Sequence, residues 1–124
     1  MVELRSSEEE KLTANATTQT TRIRELNDAF RKSFAGGKVL LTEGVDGLED
    51  QDKAALITKV RTFADFNGDN DPRCEHDFVN VEHDGTRYFA KIDYYDKEMT
   101  MGSEDPADPS LTARVLTIMR ADEY

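Results

Sequence analysis

A chain of 124 residues, 37% hydrophobic and 34% charged, can build one core and is too small for two. Its net charge of −10 repels phosphate and argues against direct nucleic-acid binding. No apolar run approaches the roughly 20 residues of a membrane helix, the opening MVELRSSEEEKL lacks the basic-then-apolar layout of a signal peptide, and the single Cys74 allows no internal disulfide, so the expectation is a cytoplasmic protein with no membrane partner.

Residues 1–19 end in the threonine-rich run LTANATTQT and hold few apolar anchors; they read as a flexible or weakly helical tail, leaving residues 20–124 as a single domain. Ile23, Leu26, Phe30 and Phe34 then recur at helical spacing, and Gly36-Gly37 stops that helix. The whole of KVLLTEGV reads as a strand. After the turn at Asp46-Gly47, Asp50 or a neighbouring acid caps a second helix, whose buried face is Leu56, Ile57, Val60, Phe63 and Ala64. The Gly/Asn/Asp cluster before Pro72 ends it.

The clearest local signal is a hairpin. Asp84-Gly85 suits a two-residue type I′ turn, which pairs His83 with Thr86, Glu82 with Arg87, Val81 with Tyr88, Asn80 with Phe89 and Val79 with Ala90. Alternation then sends Val79, Val81, Tyr88, Ala90, Ile92 and Tyr94 to the core. Phe78, Asn80, Glu82, Arg87, Phe89, Lys91, Asp93 and Tyr95 take the other face. A long Pro-broken loop leads to ARVLTIMRADEY, whose β-branched run favours a strand over a helix. The predicted fold is α+β, in the order α-β-α-β-β-β, with two helices on one face of a small, largely antiparallel four-stranded sheet.

The segment DFNGDNDPRCEHDF has the oxygen content of a calcium loop but not its spacing. Counting from Asp65, Asn67 and Asp69 fill positions three and five, yet the sixth place holds Asn70 instead of glycine and the twelfth His76 instead of glutamate. A less specific metal site built from Asp71, Glu75, His76 and Asp77 stays open as an alternative, set against Asx turns as the plainer explanation of DNDP. Cys74 and His76 are too close in sequence to define a nucleophile and its base, and no phosphate-binding glycine loop is present. No catalytic constellation and no cofactor are expected.

The stretches LNDAFR, GGKVLLTEGV, DNDPRCEHDF, KIDYYD, GSEDPADP and RVLTIMRADEY resemble the small bacterial proteins classed as domain of unknown function 3768, over residues 22–124. The resemblance implies glycine where this chain has Cys74, which speaks against an essential thiol. It also implies an accessory protein of mobile elements, a class that often antagonises host defence.

Residues 65–108 hold thirteen acidic and four basic side chains, a net of −9. The expected function is therefore an acidic binding protein that blocks a basic, nucleic-acid-binding surface on a host protein. Glu82, Asp93, Asp96, Glu98, Glu104, Asp105 and Asp108 would supply the charge, and Phe78, Phe89 and Tyr95 the apolar anchors. A homodimer through an exposed edge strand and the aromatic face is a further possibility.

Overall fold

The computed structural model describes the backbone of residues 2–124 and the side chains of residues 18–124. The tail expected for residues 1–19 falls almost wholly outside the described side chains. Helix α1 (Val2–Ser33) buries Ile23 and Phe30 as its spacing predicts. It ends at Ser33, before the glycine pair, because Phe34 takes a left-handed backbone (φ 61°) and its N–H closes on the Phe30 carbonyl at 2.7 Å. Gly37 permits a close approach instead of stopping the helix. A Cβ there would lie 2.5 Å from the Arg114 carbonyl oxygen and 2.7 Å from the Phe30 ring. Only glycine lets the chain pass between them.

Strand β1 (Gly37–Leu41) is shorter than KVLLTEGV, because Glu43–Asp46 turns into a short helix, α2, that sinks Val45 completely into the core. The predicted element order lacked this helix. Two of its groups are tied to the far end of the chain: the Glu123 carboxylate accepts from Thr42 Oγ1 at 2.7 Å, from the Gly44 N–H at 2.9 Å and from the Arg120 N–H at 2.8 Å. Helix α3 (Asp50–Thr62) follows, with the neighbouring acid Glu49 in the N-cap position and no side-chain cap hydrogen bond. It buries Leu56 and Val60, while Ile57 and Phe63 are half-buried and Ala64 is exposed.

Strands β2 (Phe78–His83) and β3 (Thr86–Tyr95) form the hairpin in the predicted register, with positive φ at both Asp84 and Gly85. The last element is a strand, β4 (Ala113–Arg120), closed by a 3-10 turn at Ala121–Glu123. The sheet order is β1-β4-β3-β2: β4 lies between β1 and β3, parallel to the first and antiparallel to the second. Among the described residues the fold is thus α+β, with three helices and a mostly antiparallel open sheet. Phe30, Val45, Leu56 and Val60 from the helices meet Val79, Tyr88, Ala90, Ile92, Leu116 and Ile118 on the inner face of the sheet. No helix among the described residues is long and apolar enough to cross a membrane.

Candidate functional site

Alternation along three strands defines the outer face of the sheet. Phe78 from β2, Phe89, Lys91, Asp93 and Tyr95 from β3, and Val115, Thr117 and Met119 from β4 all point away from the helical layer, as their register partners require. No helix among the described residues covers them. Val115 and Met119 are nonetheless buried, and with Thr117 they floor a cavity of about 560 Å³. Leu40 and Thr42 wall it on one side, Tyr95 and Met99 on the other, and Tyr124 and Glu123 contribute from the end of the chain. Phe78, Phe89 and Tyr124 form an aromatic cluster beside it, with ring centroids 5.1 to 6.2 Å apart.

The turn at residues 96–101 contributes Met99 to this cavity and lines a second one of about 290 Å³ with Asp96, Lys97, Glu98 and Met101, where Glu104 and Leu111 complete the lining. The turn is built by its own acid. Asp96 accepts from the Thr100 N–H at 2.8 Å and from its hydroxyl at 2.9 Å, and these bonds hold its carboxyl below the ordinary range. Asp108 does the same for Ser110, through the hydroxyl and then the N–H, and its carboxyl is lowered likewise. Asp105 accepts from the Ala107 N–H at 3.1 Å.

The predicted partner-binding acids therefore separate into three groups. Asp96, Asp105 and Asp108 are engaged in turns, and Asp93 is paired with Lys91 at 3.1 Å. Glu82, Glu98 and Glu104 are exposed. The predicted aromatics Phe78, Phe89 and Tyr95 do share the outer face, each half-buried. Sequence reasoning missed Leu40, Met99, Met101, Leu111 and Tyr124. These are the exposed large apolar side chains among the described residues, and each lines one of the two cavities. They are scattered along the chain from residue 40 to 124, and only the tertiary fold groups them.

The proposed metal cluster lies on the opposite side of the sheet and is divided among different partners. His76 Nδ1 is 2.8 Å from Asp28 Oδ1, while Nε2 is 3.5 Å from Asp71 Oδ2, so the two carboxylates sit on opposite sides of the imidazole. The ring stacks on Phe66 at 3.8 Å. Glu75 Oε1 accepts from Tyr94 Oη at 2.8 Å, and Asp77 is paired with Arg73. Among the described residues no group of three or more His, Cys, Asp or Glu is arranged to hold a metal ion. Asn67 and Asn70 cap the 65–71 turn through their side-chain oxygens, the Asx-turn explanation of DNDP.

What this side does contain is a buried polar network. Asn27, fully buried on α1, donates to the Glu75 carbonyl at 3.0 Å and to Tyr94 Oη at 2.7 Å, and accepts from Arg114 Nε at 2.8 Å. Arg114 also donates to the Pro106 carbonyl and lies over the Tyr94 ring at 5.3 Å. Burial lowers the Arg114 guanidinium and raises the Tyr94 phenol well above its ordinary value. Arg31 bridges Asp28 and the Phe63 carbonyl. These polar partners secure the 63–77 loop, and through Pro106 the loop before β4, against α1 and the sheet, so the network's chemistry is positional.

A family model described as Protein of unknown function (DUF3768) matches residues 41–123. The match starts later than the resemblance of residues 22–124 and leaves all of α1, and β1 up to Leu40, outside. No curated protein and no solved structure matches the chain.

Proposed function

This chain belongs to the family of that model, DUF3768, and because the family supplies no reaction we propose its function from the site: an acidic module that binds a basic protein surface through the outer face of its sheet. One observation carries the reading. The exposed large apolar side chains among the described residues, Leu40, Met99, Met101, Leu111 and Tyr124, each line one of the two cavities, with Glu98 and Glu104 at the second. Apolar anchors beside a second cavity whose lining holds three acids and one base, Lys97, suit a partner surface of positive charge. Two of the five anchors are methionines, which adapt to irregular partners.

The partner is a cytoplasmic host protein with a basic, nucleic-acid-binding surface, and the module acts by occupying it, as an accessory protein of a mobile element would. We place the affinity in the apolar cavities and the exposed carboxylates, not in a ladder of phosphate-like charges. Asp93 is neutralised by Lys91, and Asp96, Asp105 and Asp108 direct oxygens into their own turns. Tagged protein used as bait in nuclease-treated host lysate tests this. A basic nucleic-acid-handling protein should elute with salt and be lost, by roughly tenfold or more, from baits carrying Glu98→Lys with Glu104→Lys. A charge-reversed bait that retains the same proteins refutes the reading.

A further inference from the structure

Strand β1 leaves an edge of the sheet open beside the larger cavity. The Thr42 N–H bonds the Ile118 carbonyl of β4 at 3.1 Å. Backbone groups alternate along a strand, so Lys38 and Leu40 also turn theirs toward β4, and Val39 and Leu41 turn theirs the other way. Those four groups, two N–H and two C=O, bond to no described residue. The opposite edge is defended: Lys59 Nζ caps the Glu82 carbonyl of β2 at 2.8 Å, and that strand carries charge. On β1 the exposed Lys38 is the one charged side chain, no described side chain caps the free edge groups, and Leu40 is 50% exposed and lines the cavity.

We infer that β1 accepts a fifth strand, an extended segment of the basic partner, laid along its free edge so that alternate side chains reach over Leu40 into the outer-face cavity. The inference rests on the protein-binding reading above and specifies how the partner docks. Backbone bonds to Val39 and Leu41 set the register of the segment. Its outward side chains meet the apolar floor of Val115 and Met119, beside the Lys91–Asp93 pair and Glu123, which line the same cavity. Charge selects this occupant over a second copy of the chain, which would bring another −10 against the first.

A synthetic peptide of about ten residues alternating lysine and valine is the probe, with a glutamate–valine peptide as control. Val39→Pro is the informative variant. Proline deletes an N–H that points off the edge, so the internal ladder is kept, and a thermal melt verifies the fold. We expect the lysine peptide to slow hydrogen exchange at the Val39 and Leu41 amides at least tenfold and to bind Val39→Pro at least tenfold more weakly. If the peptide binds without protecting those amides, and Val39→Pro binds equally well, the edge inference fails while the protein-binding reading stands. Equal binding of both peptides, or of neither, overturns both. Should Val39→Pro not fold, exchange at Val39 and Leu41 in the unaltered chain decides alone.

Discussion

Replacing Asn27 by alanine tests whether the buried polar network holds the 63–77 loop in place. The side chain is fully buried and makes three hydrogen bonds, one from the Arg114 guanidinium and two to Tyr94 Oη and the Glu75 carbonyl. A hydrogen bond to a charged group contributes about 1.5–3 kcal/mol and a neutral one about 0.5–1.5 kcal/mol. Alanine regains roughly 0.5 kcal/mol as a better helix former. The net loss should be about 3–4 kcal/mol, because Arg114 is left with a buried, unanswered Nε–H. Urea unfolding followed by far-ultraviolet circular dichroism measures it, with an unchanged denaturant slope and a melting temperature lower by roughly 10–20 °C. The double variant with Arg114→Met removes the stranded charge, so the two losses should fall short of additive by more than about 1 kcal/mol. A loss below about 1 kcal/mol for Asn27→Ala, or strict additivity, would refute the view that these groups form one unit.

Cys74 holds a left-handed backbone at φ 59°, which glycine adopts freely, so Cys74→Gly should raise stability by about 0.5–1 kcal/mol in the same urea assay. Gly37→Ala and Gly44→Ala should differ: the first drives a Cβ to 2.5 Å from a backbone oxygen that cannot yield and should cost roughly 2–3 kcal/mol, whereas the second meets the movable end of Glu123 at the same distance and should cost less. Accepted hydrogen bonds hold Asp96, Asp108 and Glu123 below their ordinary values, and the Arg120 guanidinium does so for Asp122. Their contribution is present above the unfolded values of 3.8 and 4.5 and lost as pH falls through the lower folded ones, so the acid decline in melting temperature should be shallower in Glu123→Gln. Tyr94 is raised by burial, so the unfolded chain ionises first and stability should fall as pH rises above 10.0, a loss that Tyr94→Phe should not show.

The hairpin was legible because a two-residue turn needing positive φ twice leaves one register open to Asp84-Gly85. The core face of α1 was legible from apolar spacing, and the same spacing flags what was overlooked. Asn27 lies four residues after Ile23 and Arg31 four after Asn27, so both polar side chains occupy the buried stripe. A polar group at such a position needs buried partners, which is a readable sign of the network. Its partners were not readable, because Glu75, Tyr94 and Arg114 come from segments that meet only through tertiary packing. Insertion of β4 between β1 and β3 depends on the whole sheet, and no local pattern encodes it. Helix α2 escaped because Thr42 and Glu43 look like strand ends unless Glu123 is known to cap the turn.

Two loops of identical charge end up electrostatically unlike, and that difference bears on where a partner docks. Residues 65–77 and residues 96–108 each contain five acids and one base. The first loop packs against α1, where Arg24 donates to the Cys74 carbonyl and Arg31 stands between Asp28 and the Phe66 ring, while Arg73 pairs with Asp77. Tyr94 and Glu75 also face the Arg114 guanidinium. The second loop has Lys97 as its own base and meets the Arg114 guanidinium at the Pro106 carbonyl, while Glu98 and Glu104 stay exposed. The chain's acidic field is therefore compensated on the helical side of the sheet and left standing around Met101 and Leu111. A basic partner approaching from solution is steered toward the second loop and the outer face, where association should be fast at low salt and slow steeply as salt rises. Charge reversal in the first loop should alter folding stability more than capture, and reversal in the second should do the opposite.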